Sequence, residues 1–169
     1  MARTARPSSR QLKAELCSLY REIMWLARRQ GVSASDARAW YTHIRAEKLK
    51  REIRSFSGKV SEAALNDRDD LRLEHYRRIQ TSLTGLVRRH LDEGLNDPDE
   101  FITLLLKCEC VHIVTREENY AIMRHKGKYV AAGVKLVPWS RIPPEARQYL
   151  WKRMLRGRVC NASSFAPEA

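Results

Sequence analysis

The segment at residues 12–30 constrains the fold of this chain more than any other stretch. Its apolar residues recur at steps of three and four, which is the spacing of one side of an amphipathic helix: Leu12, Leu16, Leu19, Tyr20, Ile23 and Leu26. Ser8 and Gln11 have the spacing of a capping box at its start, and Gly31 suits the left-handed position after its end. Such a helix needs partners that cover its apolar side.

A second amphipathic helix is predicted after the turn at residues 31–35. Ser33 or Ser35 can cap it, and Ser57-Gly58 ends it. Its apolar side comprises Trp40, Tyr41, Ile44, Leu49, Ile53 and Phe56.

A third helix is predicted to begin in the acidic stretch at residues 66–70 and to end at Gly94. Three such helices with short connections would bury their apolar faces against one another as an antiparallel bundle. The apolar side of the third helix comprises Leu73, Tyr76, Ile79, Leu83, Leu86 or Val87, and His90 or Leu91.

The C-terminal half is predicted to be a helical extension. Residues 97–100 have a cap, a proline and a carboxylate at the spacing of a helix start, and this helix should end near Cys110 or Val114. Residues 120–132 form either a hairpin that turns at Lys126-Gly127 or a helix that stops there. Pro143-Pro144 begins a last helix, and a small, polar tail is expected to be mobile.

The predicted fold class is therefore mainly α, an antiparallel three-helix bundle with a C-terminal helical extension that includes a short β-hairpin in one alternative. The predicted domains are a basic arm at 1–10, a three-helix domain at 11–94, a basic extension at 95–160 and a flexible tail at 161–169.

The net charge of +12 is concentrated at the two ends of the chain. Residues 1–56 carry +8 and residues 107–169 carry +7, whereas residues 57–106 carry −3. This pattern favours a polyanionic partner, either RNA or a strongly acidic protein, over a merely soluble basic surface. No apolar run approaches the roughly 20 residues that a membrane span needs.

The N-terminus and the cysteines indicate a compartment. Four basic residues and no acidic one precede Glu15, which is typical of a mitochondrial transit segment and also of a basic RNA-binding arm. The four cysteines follow no secretory segment, so we interpret them as reduced thiols inside a cell or organelle.

The sequence gives no reason to predict an enzyme. The run from Cys108 through Cys110 to His112 lacks the second ligand pair of a structural zinc site, so we expect core thiols and no metal. The histidines are scattered, and no phosphate-binding glycine loop is present.

The second predicted helix carries a dense basic face. Such a face suits an acidic helix on a partner, because complementary charge steers docking and fixes orientation. The alternative is an ordinary solvated face. The residues concerned are Arg38, Arg45, Lys48, Arg51 and Arg54.

Together these features resemble the LYR-motif family of mitochondrial proteins, which are small, basic, three-helix proteins. The triplet Leu19-Tyr20-Arg21 stands in the first helix, as in that family. The family's second helix has a tyrosine, a basic residue and a phenylalanine; Tyr41 and Arg45 fit the first two. Leu49 has the spacing of the third position and Phe56 has its side chain. The resemblance covers about residues 10–92.

The resemblance implies that the chain binds the mitochondrial acyl carrier protein in the matrix. No cofactor binds the chain directly; the partner carries an acyl-4′-phosphopantetheine whose chain enters the helical core, at roughly 0.8 kcal/mol per buried CH₂. The resemblance assigns carrier docking to Arg21, Arg45, Lys48 and Arg51. It assigns the motif and the acyl-chain pocket to Leu19, Tyr20, Ile23, Tyr41, Leu49 and Phe56.

Family members act as adaptors, and the basic C-terminal part is expected to determine which mitochondrial assembly the adaptor binds. The preferred prediction is an accessory or assembly factor of the large mitochondrial ribosomal subunit. The alternatives are a respiratory-chain complex, the iron–sulfur machinery, or a free-standing RNA-binding protein. The expected RNA contacts are Arg147, Lys152, Arg153, Arg156 and Arg158.

Overall fold

The computed structural model describes residues 9–167, which form two compact units. The helical unit comprises residues 9–52 and 79–107, and the sheet unit comprises residues 53–78 and 108–167. Each unit is therefore built from two separate stretches of chain. The predicted ranges instead gave each domain one continuous stretch of chain, with the three-helix domain at 11–94 and the basic extension at 95–160.

The chain is mainly helical and contains a small four-stranded sheet. In chain order the elements are α1 (Ser9–Ala27), α2 (Ala34–Ala39), a π-helical segment (Trp40–Arg45), α3 (Ala46–Ile53), β1 (Ser55–Ser61), α4 (Glu62–Asn66), β2 (Leu71–His75), α5 (Ile79–Asp92), α6 (Pro98–Cys108), β3 (Cys110–Thr115), α7 (Arg116–Arg124), β4 (Leu136–Pro138), a 3₁₀ turn (Trp139–Arg141), α8 (Pro144–Leu150), a second π-helical segment (Trp151–Leu155) and a last 3₁₀ turn (Ala162–Phe165).

The helical unit buries most of the apolar residues that the sequence pattern predicts, but Ile44 of the second predicted helix is exposed. The buried side of α1 comprises Leu16, Leu19, Tyr20, Ile23, Met24 and Ala27. Ser33 caps α2 in a reciprocal capping box with Asp36, and the helix continues through the π-helical segment into α3. We call residues 34–53 the second rod. α1, α2 and α5 pack against one another.

Two predictions about the helices were wrong. Phe56 does not extend the second helix, because α3 ends at Ile53 and Phe56 lies in β1. The third helix does not include Leu73, because residues 71–75 form β2, which pairs antiparallel with β3. In both places pairing with a distant strand overrides local helical spacing.

The sheet has the strand order β2-β3-β1-β4. β1 runs parallel to β3 and antiparallel to β4. A bulge lies between Phe56 and Val60, where Gly58 has a φ of 77°. A core cluster surrounds Phe56 and comprises Val60, Val111, Ile113, Trp139, Ile142, Leu150 and Leu155, among others.

A second cluster in the sheet unit joins β3 to α7. Val114, Ile122 and Val134 are its buried members. Thr115 and Glu118 form the capping box that starts α7. The fourth predicted helix consequently ends at Cys108, and its extension to Val114 was wrong because residues 110–115 form a strand.

The hairpin alternative for residues 120–132 was also wrong. α7 runs through residue 124, and the chain then turns at Lys126 and Gly127, whose φ angles are 54° and 85°. The helix alternative placed the stop correctly, although the helix begins only at Arg116.

The end of the described chain is packed. The side-chain amide of Asn161 accepts the N–H of Phe56 at 2.8 Å and donates to its carbonyl at 2.9 Å. The Phe165 ring lies 4.8 Å from the Phe56 ring and 5.8 Å from the Trp139 ring. Asn161 and Phe165 therefore pack in the sheet unit, and the flexible tail at 161–169 stays a prediction.

The predicted cap at Ser8 and most of the basic arm at 1–10 lie outside the described residues, as do residues 168 and 169. Among residues 9–167, no helix is both long and apolar enough to cross a membrane.

Candidate functional site

The Leu-Tyr-Arg triplet divides between the core and the surface of the helical unit. Leu19 and Tyr20 have no exposed surface, whereas Arg21 is exposed. This division follows from helix geometry, because successive residues are rotated by about 100°. Ile23, Tyr41 and Leu49 are also buried in this unit. Phe56, the other residue assigned to the pocket, belongs to the core of the sheet unit.

Tyr20 anchors a buried polar network. Its hydroxyl lies 2.8 Å from Nδ1 of His90 and accepts the backbone N–H of Asp97 at 3.1 Å. Nε2 of His90 lies 3.0 Å from a carboxylate oxygen of Glu100, which only accepts, so Nε2 carries a proton. With the ring neutral, Nδ1 then accepts the hydrogen bond of the Tyr20 hydroxyl.

Glu100 links this network to the surface. Its carboxylate also accepts a hydrogen bond from Arg89, and these partners hold its pKa below the ordinary value. Burial raises the pKa of the Tyr20 hydroxyl. A neutral tyrosine, a histidine and a carboxylate therefore connect α1 to α5 and α6. Sequence reasoning placed Tyr20 and His90 on apolar sides but did not connect them.

The predicted carrier-docking residues occupy different environments. Arg45 is half-buried and lies 3.5 Å from a carboxylate oxygen of Glu15 and 3.8 Å from one of Glu22. Lys48 and Arg51 are exposed, and their three-residue spacing places them on the same side of α3. Arg45 is thus held by α1, whereas Lys48 and Arg51 are accessible.

Two of the predicted RNA-contact residues of the sheet unit lie against aromatic rings. The guanidinium of Arg153 is 5.7 Å from the Tyr149 ring and donates to the Asp69 carbonyl at 2.7 Å. Arg156 lies 5.6 Å from the Trp151 ring. Arg68, which sequence reasoning missed, lies 5.4 Å from the same Tyr149 ring. Arg147 is half-buried, and the exposed members are Lys152, Arg153, Arg156 and Arg158.

His112 is the centre of a second buried polar cluster, in the sheet unit. Its Nδ1 is hydrogen-bonded to the Ser57 hydroxyl, and its ring lies 5.4 Å from Tyr76 and 5.3 Å from Tyr129. Among the described residues, neither Nε2 of His112 nor the Tyr129 hydroxyl has a hydrogen-bond partner. Burial lowers the pKa of His112 to about 4, so the ring is neutral near pH 7.

The cysteines near His112 are not arranged as a helical face. Cys108 ends α6, whereas Cys110 and His112 lie in β3 and alternate with core residues. Within residues 9–167, no group of three or more His, Cys, Asp or Glu side chains is positioned to hold a metal ion.

Comparisons of the chain with protein-family models, with curated proteins and with solved structures gave no match.

Proposed function

We propose that this chain is a non-enzymatic adaptor that binds the acylated mitochondrial acyl carrier protein through its helical unit. In this proposal α1, the second rod and α5 are the three antiparallel helices of an LYR-type bundle, and the acyl chain enters between them. The observation that carries the proposal is the triplet in α1, whose Leu19 and Tyr20 are fully buried while Arg21 is exposed.

The charges of the second rod support an acidic partner. Lys48 and Arg51 are exposed on one side of α3, and we assign the main docking contacts to them. Arg45 has a different role in this proposal, because its ion pairs with Glu15 and Glu22 orient the second rod against α1.

Binding of purified acyl carrier protein tests this proposal. The chain is mixed with carrier protein that bears either an acylated or a free phosphopantetheine, and complexes are separated by size and identified by intact mass. We expect a one-to-one complex with the acylated form. The double variant Lys48→Glu/Arg51→Glu should weaken it at least about tenfold, because two attractive charges become repulsive.

A charge-matched variant serves as the control. Arg28 and Lys107 are exposed residues of the helical unit outside the docking set, so Arg28→Glu/Lys107→Glu changes the net charge equally. It should retain binding. Equal loss in both double variants, or no complex with the wild-type chain, would contradict the carrier proposal.

We further propose that the adaptor is an accessory or assembly factor of the large mitochondrial ribosomal subunit in the matrix, and that the sheet unit contacts rRNA. The exposed cations at residues 152–158, two of them beside aromatic rings, support this assignment. Arginine and lysine supply most contacts to phosphate, and stacked arginines also suit unpaired bases.

The salt dependence of RNA binding tests the second part. Lys152→Gln/Arg156→Gln should reduce the slope of log affinity against log salt by about 1.4 for single-stranded RNA, since two phosphate contacts are lost. Arg124→Gln/Lys126→Gln removes two exposed cations elsewhere in the sheet unit and should leave the slope unchanged. Recovery of respiratory-chain subunits instead of rRNA from mitochondria would favour the respiratory alternative.

A further inference from the structure

A polar groove lies between α2 and α5 of the helical unit, and it includes none of the residues assigned above to carrier docking or RNA contact. Its volume is about 440 Å³, within the range of small-molecule sites, and it is widely open to solvent. No acidic side chain lines it. The lining residues are Ser35, Arg38, Gln80, Thr81, Thr84, Gly85 and Arg88.

Arg38 is the unusual member of this groove. Its side chain is charged, yet only 8% of the residue is exposed. One terminal nitrogen donates to the Thr42 hydroxyl at 2.9 Å and the other to the Ser35 hydroxyl at 3.3 Å. Its Nε is buried and has no hydrogen-bond partner among the described residues. Arginine is rarely buried unless it is paired with an opposite charge.

Other arginines of the helical unit do have carboxylate partners. Arg45 pairs with Glu15 and Glu22, and Arg89 pairs with Glu100. Asp36 interacts with Arg38 only at a distance, because its carboxylate accepts hydrogen bonds from the backbone and hydroxyl of Ser33. Within residues 9–167, Arg38 forms no ion pair, so its charge is left for an anion from outside the chain.

We propose that this groove binds the phosphate group of a small phosphorylated molecule. Arg38 and Arg88 supply positive charge, and the hydroxyls of Ser35, Thr81 and Thr84, with the Gln80 amide, supply further donors for oxygens. Arginine with neutral hydroxyls is a combination that matches the geometry and charge of phosphate. This site stands independently of the proposed carrier-protein interaction, because none of its residues belongs to the docking set.

Gly85 is a lining residue of the groove with open space beside it. It lies in α5, and a Cβ placed there would have no atom within 4 Å. Glycine is unfavourable inside a helix, so its replacement by a side chain should not strain the backbone. The position can therefore carry a test group into the groove.

Calorimetric titration with inorganic phosphate at constant ionic strength tests the site on the full chain. We expect saturable binding to the wild-type protein and a phosphate-dependent rise of the melting temperature. Arg88→Gln should raise the Kd about tenfold, because one charge-assisted contact is lost. Arg28→Gln, an exposed arginine of the same unit, should leave the Kd unchanged.

Gly85→Glu and Gly85→Gln provide a matched pair that differs only in charge. The glutamate should act as an internal anion for Arg38, raise the melting temperature above that of the glutamine variant and abolish the effect of phosphate. Equal melting temperatures and undiminished phosphate binding in both variants would overturn the proposal.

Two model compounds then define the ligand class. Glycerol 3-phosphate carries a monoester and dimethyl phosphate a diester, and tighter binding of one identifies the form that the groove accepts. No saturable binding of inorganic phosphate or of either compound would overturn the proposal, as would binding that Arg88→Gln leaves unchanged.

Discussion

The two units differ in how they pair the polar groups around their buried histidines. In the helical unit, both ring nitrogens of His90 and the Tyr20 hydroxyl have hydrogen-bond partners. In the sheet unit, one ring nitrogen of His112 and the Tyr129 hydroxyl have none among the described residues. An unpaired buried polar group costs about 1–3 kcal/mol, so the polar cluster stabilises the first unit and weakens the second.

The difference arises from how many parts of the chain must meet. His90, Asp97 and Glu100 lie within eleven residues of one another, and α1 adds only Tyr20. The His112 cluster is assembled instead from β1, the segment after β2, β3 and the segment after α7. Local helix geometry can align a short network, whereas the second cluster depends on strand pairing.

The largest expected losses of stability come from substitutions in the cores of the two units. Phe56→Ala should lower the opening free energy of the β1 and β3 amides by about 3–5 kcal/mol, because a buried aromatic ring leaves a cavity. Hydrogen exchange measured by mass spectrometry reports this for each segment. Leu49→Ala should act mainly on α1 amides, at about 2–5 kcal/mol. Equal losses in both units from either variant would show that they open together.

Acid should weaken the sheet unit through His112. Its pKa is lowered to about 4 in the folded chain, against 6.5 for an exposed histidine. As the pH falls below 6.5, His112 is protonated in the unfolded chain before it is protonated in the folded chain. The free energy of unfolding therefore decreases progressively from pH 6.5 to about pH 4. The loss should approach roughly 3 kcal/mol.

Urea unfolding between pH 8 and pH 4 measures this loss. Trp139 and Trp151 report on the sheet unit once Trp25 and Trp40 are replaced by phenylalanine. His112→Gln should remove this part of the pH dependence, and the exposed His125→Gln should preserve it. An unchanged pH dependence in His112→Gln would contradict the assignment.

Tyr20→Phe tests how much the hydrogen-bond network of Tyr20 and His90 stabilises the helical unit. The change keeps the ring in the core but leaves Nδ1 of His90 and the Asp97 N–H without their partner, at a cost of about 1–2 kcal/mol. Fluorescence of Trp25 and Trp40 during urea unfolding, with Trp139 and Trp151 replaced by phenylalanine, measures the effect. No loss would mean that the network contributes only packing.

The smallest expected losses of stability come from substitutions in the two capping boxes. Ser33→Ala in the helical unit and Thr115→Ala in the sheet unit should each cost about 1 kcal/mol, because each removes one acceptor from a helix start. Glu118 also accepts a hydrogen bond from the Ser61 hydroxyl, so the box at Thr115 is tied to β1. Thr115→Ala should therefore speed hydrogen exchange at residues 115–118 more than Ser33→Ala speeds it at residues 33–36.

Local patterns predicted the helices whose signals lie within the helix itself. The apolar spacing of α1 and the cap and proline at the start of α6 depend on neighbouring residues only. β1 and β2 were missed because their partner β3 lies about 40–55 residues away, and nothing local distinguishes Leu73 in a strand from Leu73 in a helix.

In the candidate sites, too, local patterns predicted apolar positions but not contacts between distant parts of the chain. The sequence places Leu19, Tyr20 and Leu49 on apolar sides, and all three are buried in the helical unit. It placed Arg38 on an exposed basic face, because arginine is usually solvated. Only the packing of α2 against α5 beside Gly85 shows that Arg38 is buried.

The interleaving of the two units has a consequence for biosynthesis. As the chain leaves the ribosome from its N-terminus, α1 and the second rod emerge first, yet α5 and α6 follow only after β1 and β2. β1 in turn waits for β3, because these two strands pair directly. Neither unit is complete before about residue 107 has emerged, so the early helices must remain soluble, or be held by a chaperone or partner, until that point.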